Sequence, residues 1–270
     1  SRKRIEVSER AERADDKSDD RPFKTRKRKE YPVAVLNNKV QQRAVHSSSI
    51  LVLMPAFYVI IARYRESWLD KYFRFSLPVS VIAFIGALFV NFWAIQQATN
   101  KASASVTDLI LSNIPVFEVD QLFVYGTFFV VAVSVVMLLV HPNRIPFALH
   151  AVTLFILIRS AFTLMTHLGP PEVAYLSDFG ATITRSFFGA DQFFSAHTGM
   201  PFLGALAFWG IDNRFKWFYL CSSTFFAIIV LLGHIHYTID VVSAFFITYG
   251  IYQIALWLFP RERALFLLEQ

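Results

Sequence analysis

Residues 233–260 read GHIHYTIDVVSAFFITYGIYQIALWLFP, and the fold turns on this stretch. From Ile239 to Phe259 it is predominantly apolar, and Asp240 is its one charged residue. As a helix rising about 1.5 Å per residue, that length crosses the roughly 30 Å hydrocarbon core of a bilayer. Working outward, the segments 77–97, 122–140, 146–166, 194–211 and 217–234 have the same character. Hydrophobic residues make up 55% of the chain, with 29 phenylalanines, more apolar surface than a soluble domain of this size buries. In hydrocarbon every backbone polar group needs an internal partner, so spans of this composition are helices. The expected fold is all-α: a polytopic membrane bundle of six transmembrane helices, over 77–260, with an N-terminal interfacial helix.

The run Ile50 to Ala62 has only 13 residues and contains Pro55. It is too short to span and reads as an interfacial or re-entrant segment within 46–76. Residues 1–45 form a basic tail. Within 1–43 there are 14 Lys/Arg and 8 Asp/Glu, an excess that accounts for the whole net charge of +6. The cluster Lys24, Arg26 to Lys29 suits either a topology signal or contact with anionic head groups. Asp15, Asp16, Asp19 and Asp20 interleave with the basic residues, which argues against nucleic acid as a partner. Cys221 is the single cysteine, so neither an internal disulfide nor a cysteine metal site is expected. The chain opens on charged residues, with no stretch resembling a cleavable signal peptide.

With the tail cytoplasmic and 50–62 not crossing, Arg63, Arg65, Lys71, Arg74, Arg144, Arg214, Lys216, Arg261 and Arg263 fall inside. Lys101 and Arg185 alone stay outside. That satisfies the positive-inside rule, puts both termini (including 261–270) in the cytoplasm, and places Trp209, Trp217 and Trp257 at the inner boundary.

Titratable residues at membrane depth are costly and mark function. Ser195-Ala196-His197-Thr198 opens the fourth expected span at its outer end. His234-Ile235-His236-Tyr237-Thr238-Ile239-Asp240 joins the fifth and sixth, also outside, and Arg159 lies in the outer half of the third. The i, i+4 spacing of His236 and Asp240 brings carboxylate and imidazole together at a helix start. That contact sets the tautomer and frees the other nitrogen as nucleophile or base. His197 would then act as the opposing acid, and Arg159 and Arg185 as phosphate ligands. The bland alternatives are interfacial histidines, a snorkelling Arg159 and an Asp240 that merely caps its helix. His46, His141, His150 and His167 keep that structural reading. A metal centre from Asp191, His197, His234, His236 and Asp240 is the rival, but i, i+2 histidines diverge on a helix. The site is read without metal or cofactor.

At these residues the sequence resembles the sphingomyelin synthase branch of the type 2 phosphatidic acid phosphatase superfamily. One family motif, an Asp followed by Ser-Gly-His-Thr, is matched by Asp191 and Ser195-Ala196-His197-Thr198, with Ala196 at the usual glycine and Gly189-Ala190 at the usual Cys-Gly. The other, His-Tyr-Thr-x-Asp-Val, stands as His236 to Val241, with His234 two places earlier. Arg159, Thr166, Leu168 and Pro171 are similar to a weaker third pattern. The broader phosphatase group has Ser-Arg where Ile229 and Val230 stand here, which favours the synthase branch. The resemblance implies a lipid phosphotransferase with His197, His236 and Asp240 as catalytic residues and Arg159, Arg185, Asp191, Ser195 and Tyr237 near substrate. It implies a phosphohistidine intermediate, a glycerophospholipid donor, ceramide or another lipid alcohol as acceptor, and a centre on the exoplasmic side. A homo-oligomer is compatible with this reading. The alternatives are a lipid phosphatase or phospholipase C-type hydrolase, and a catalytically silent lipid-binding membrane protein. Single cysteines placed in 1–45 are expected to resist an impermeant reagent in intact cells and to react after permeabilisation.

Overall fold

The structure, a computed structural model, describes residues 56–171 and 193–268. The tail, Ile50 to Pro55, Arg185 and Asp191 lie outside the described residues. Among the described residues the regular structure is helical: α1 (Ala56–Ser67), α2 (Lys71–Asn100), α3 (Asp120–Val140), α4 (Ile145–Met165), α5 (Ala196–Ala207), α6 (Asn213–Leu232), α7 (Thr238–Leu258) and α8 (Pro260–Leu267). Start signals are local. The Asp70 carboxylate accepts from Tyr72 and Phe73 N–H at 2.7 and 3.4 Å, and Asp212 accepts from Arg214 N–H at 2.8 Å. Pro146 and Pro260 occupy first-turn positions of α4 and α8, where a missing N–H costs nothing.

Five helices are long and apolar enough to cross a membrane: α2, α3, α4 with its preceding turn, α6 and α7. This makes the chain a multi-pass membrane protein. The expected sixth span, 194–211, is only a 12-residue helix, α5. At about 18 Å it is shorter than the hydrocarbon core. The apolar run continues through Phe208 and Trp209, but Gly210 takes a left-handed φ of 76° and turns the chain. The two ends of α5 nevertheless meet elements at the two ends of α7. Ser195 N–H donates to the Asp240 carbonyl at 3.1 Å, and the Ala207 carbonyl accepts from Arg263 of α8 at 2.8 Å.

α5 packs on α6 and α7, and α4 packs on α2, α5 and α7. The core between them holds Phe147, Phe155, Phe194, Phe208, Ala244 and Ile251, all nearly inaccessible. Small residues let the helices approach, as in membrane interiors generally. A Cβ on Gly199 of α5 would sit 2.8 Å from both the Phe155 ring and Thr248 Oγ1, and one on Gly204 would press on Tyr219. α3 joins this core at one end, where Met137 is buried in it. It meets α6 through a second cluster around Phe123, Val124, Phe226 and Val230, and exposes Leu122, Phe128, Phe129 and Val136.

Charge gathers at the end away from His236. Arg63 of α1 donates to the Val140 carbonyl at 2.9 Å, and Arg144 lies over Phe208 and Phe266. Lys216 lies over Trp209 and Trp217. The C-terminal segment is part of the bundle: Glu262 is buried and accepts from Tyr72 and Ser76 hydroxyls, and Phe266 is fully buried. Because α5 carries His197, its seat on α4 and α7 can be tested directly. Gly199→Ala is expected to cost about 1–3 kcal/mol, the usual range for overpacking, read as a lower melting temperature in detergent, whereas Gly86→Ala, where a Cβ meets nothing within 4 Å, is expected to be neutral.

Candidate active site

Three chain segments converge at the other end of the bundle: the start of α5, the turn between α6 and α7, and the outer half of α4. α6 stops at Gly233, and His234 takes a left-handed φ of 49°, so the chain reverses within a few residues. Ile235 and His236 N–H groups both return to the Val230 carbonyl, at 2.8 and 3.4 Å. Tyr237 then sits at the N-cap of α7, and Asp240 is the third residue of the helix.

His236 therefore precedes the helix. Its contact with Asp240 is made across the helix cap, which corrects the expectation of a helical i, i+4 pair. Nδ1 of His236 lies 3.4 Å from Asp240 Oδ2, with both side chains buried. The same Oδ2 accepts from the Tyr237 N–H at 3.1 Å, so Asp240 caps its helix and faces the imidazole at once. The carboxylate oxygen thus takes one hydrogen bond, from the Tyr237 backbone, and faces the imidazole at ion-pair distance. With Nδ1 turned to the carboxylate, Nε2 is the ring nitrogen left for chemistry. The turn geometry also replaces the helical reason for separating His234 from His236: neither residue is on a helix.

Ser195 caps α5. Its Oγ accepts from Thr198 N–H at 3.4 Å, and its own N–H holds the Asp240 carbonyl. His197, in the first turn, is half-buried. Its ring packs 4.4 Å from that of Phe123 and 5.9 Å from that of Phe226. His236 and Arg159 both lie within electrostatic reach of it. Arg159 is buried, and its Nε donates to the Phe194 carbonyl at 2.8 Å, so it ties the segment before α5 to α4. Thr163, one turn on, donates to the Phe193 carbonyl. His197, His236, Asp240 and Arg159 are thus brought together. Ser195 is spent on the cap, and the Tyr237 hydroxyl donates to the Gly169 carbonyl at 3.0 Å and accepts from Val106 N–H at 3.2 Å. Those two residues hold the site in shape through these hydrogen bonds.

Sequence reading assigned no role to the strap formed by 101–119. Asp108 Oδ1 accepts from the Thr238 hydroxyl at 2.6 Å, and Oδ2 from the Thr238 N–H at 2.8 Å. Ile110 and Leu111 N–H groups also donate to Oδ1. Ser103 N–H reaches the His167 carbonyl and Phe117 N–H the Leu232 carbonyl, so the strap is stitched to both sides of the site. Burial alone would push the Asp108 carboxyl up. The hydrogen bonds from Thr238, Leu111 and Ile110 outweigh it and hold the group below its ordinary 3.8.

Residues 189–257, about a quarter of the chain, match the family model described as PAP2 superfamily C-terminal. The matched stretch contains His197, His236 and Asp240. It supports the type 2 phosphatidic acid phosphatase superfamily, whose members are generally lipid phosphatases or phosphotransferases. No curated protein and no solved structure matches the chain.

A carboxyl held low stabilises the fold above its unfolded value of about 3.8 and loses that contribution as pH falls through the lower folded value. Between pH 5 and 3 the wild-type melting temperature is expected to fall more steeply than that of Asp108→Asn. At pH 7 Asp108→Ala is expected to lose about 1 kcal/mol, an ordinary hydrogen-bond contribution discounted for partial exposure.

Proposed function

We propose that the protein moves a phosphate-bearing head group from a glycerophospholipid to a second lipid alcohol, by resemblance ceramide, through a phosphohistidine. The observation that carries this reading is the buried contact of His236 Nδ1 with Asp240, with His197 and Arg159 close by. In the first step His236 Nε2 attacks phosphorus and forms a P–N bond while the P–O bond to diacylglycerol breaks. His197, which takes up a proton as the anionic phosphodiester enters beside it, gives that proton to the departing oxygen. In the second step neutral His197 takes the proton of the acceptor hydroxyl, whose oxygen attacks phosphorus as the P–N bond breaks. His236 is regenerated and His197 is protonated again. Splitting the transfer in two lowers each barrier. Arg159, anchored through Nε to Phe194, faces the charge that grows on phosphorus with no reorganisation.

Arg185 and Asp191 are proposed as further contacts to the phosphate and its loop, on the family motif alone. The site end is proposed to be exoplasmic and both termini cytoplasmic. Supporting this orientation, Arg63, Arg144, Lys216 and Arg263 all sit at the opposite end.

A second reading, hydrolysis, is favoured by the superfamily match, because the same residues act on water if water replaces the alcohol. Incubation of purified protein with labelled phospholipid, with and without ceramide, separates the two by mass spectrometry. Transfer predicts a ceramide-bearing product, and hydrolysis a free head-group phosphate in both samples. His236→Ala is expected to abolish turnover and the covalent phospho-enzyme. His197→Ala is expected to lose about 10²–10⁴-fold, the general-acid contribution, and to be rescued by a nitrophenyl phosphodiester, whose leaving group needs no proton. Equal rescue of both variants would contradict the assignment.

A further inference from the structure

α6 carries three consecutive hydroxyl residues, Ser222-Ser223-Thr224, and the middle one behaves differently from its neighbours. Ser222 and Thr224 turn back onto their own helix, donating to the Phe218 and Leu220 carbonyls at 2.8 and 3.0 Å. That is the ordinary resting place for a hydroxyl side chain inside a helix. Ser223 is fully buried, and its hydroxyl instead crosses to α5 and donates to the Thr198 carbonyl at 2.8 Å. Thr198 directly follows His197. Phe226, three residues further along α6 and so on the same face, brings its ring within 5.9 Å of the His197 ring. One stripe of α6 thus meets both the backbone and the imidazole of the first turn of α5.

That turn is weakly fixed by its own helix. Pro201 lies inside α5 and has no N–H to return to the His197 carbonyl four residues earlier, and a proline ring presses against the carbonyl at that position. Ser195 secures the N-cap, through a long bond from the Thr198 N–H at 3.4 Å and through the Asp240 carbonyl. The Phe123 and Phe226 rings lie against the imidazole, but apolar contact is non-directional and does not by itself fix the height of a helix. Ser223 adds a short, directional bond just past His197. We infer that Ser223 is a positioning residue for His197: its hydroxyl fixes the backbone of the first turn of α5, and through it the place of the imidazole against the Phe123 and Phe226 rings. The inference rests on the transfer reading for the task of His197, proton delivery to the leaving group, and on the contact between α5 and α6 for its placement.

Placement is read apart from turnover, by NMR on the full chain in lipid nanodiscs with isotope-labelled histidine. The neighbouring aromatic rings displace the His197 Cε1–H signal, which is assigned by its loss in His197→Ala. Ser223→Ala is expected to move that signal, whereas Ser222→Ala, which removes a hydroxyl bound within α6, is expected to leave it in place. Turnover supplies the second reading. Ser223→Ala is expected to lose about 10-fold on phospholipid, within the roughly 10²-fold that an ångström of misplacement costs. It is expected to keep the wild-type rate on a nitrophenyl phosphodiester, whose leaving group needs no proton. In a His197→Ala background the same change is expected to add nothing, because both act through one imidazole. An unmoved His197 signal in Ser223→Ala, an equal movement in Ser222→Ala, or equal losses on the two substrates would overturn the positioning role while leaving the transfer reading intact. A signal that moves only in Ser223→Ala, in a protein that neither transfers nor hydrolyses any phospholipid, would overturn the transfer reading and leave the seat of His197 as inferred.

Discussion

The start of a buried helix carries N–H groups that its own turns leave without partners, and in this protein the answer to that constraint organises the end of the bundle that holds the candidate site. α7 begins in the interior, at Thr238, with no short polar residue at its cap. Its donors are met from two directions. Asp240 reaches back to the Tyr237 N–H, and Asp108 crosses from the strap to the Thr238 N–H and hydroxyl. The Asp240 carbonyl in turn holds the Ser195 N–H, which seats α5 and with it His197. Capping, docking of the strap and approach of the two histidines are one hydrogen-bonded assembly, so stability and chemistry share the same atoms.

That sharing has an energetic side. A carboxylate buried beside an imidazole is expensive unless its lone pairs are occupied. Here the backbone of Tyr237 supplies one donor, and the His236 ring lies 3.4 Å away. Arg159 is likewise not a free charge waiting for substrate. Its Nε is bound to the Phe194 carbonyl, which fixes the guanidinium at the cost of some of its donor capacity. An electrostatic site whose groups are already held needs no rearrangement when charge develops on phosphorus.

The long spans were legible because hydropathy sums over some twenty residues, and a sum of that length resists local exceptions such as Pro78 inside α2. The 194–211 segment was not, because its apolar content runs past the point where Gly210 turns the backbone, and composition does not register a left-handed φ. The pairing of His236 with Asp240 could be read from spacing, but the way it forms could not. The helix starts two residues later than the spacing argument assumed, and the contact is made over the cap. Asp108 gave no signal at all: its partner Thr238 is 130 residues away, and a lone acid in a polar loop looks like solvation. Ser195 and Tyr237 stood out as hydroxyls in a motif, but the cap that Ser195 makes on α5 and the tie of Tyr237 to Gly169 could not be read from the sequence.

α3 gives the site an unusual wall. The Phe123 ring packs on His197 from one side, while Leu122, Phe128 and Val136 of the same helix are exposed among the described residues. Only the thickness of one helix separates the imidazole from the surrounding hydrocarbon. Pulling an acyl chain into water costs about 0.8 kcal/mol for each methylene, so extracting a two-chain lipid would cost tens of kcal/mol. With the histidines one helix from the acyl chains, that extraction is unnecessary. Under the proposed lipid transfer, reactant and product tails would stay dissolved in the bilayer throughout, with lateral diffusion within the leaflet, rather than transfer through water, as the route by which substrates arrive and leave.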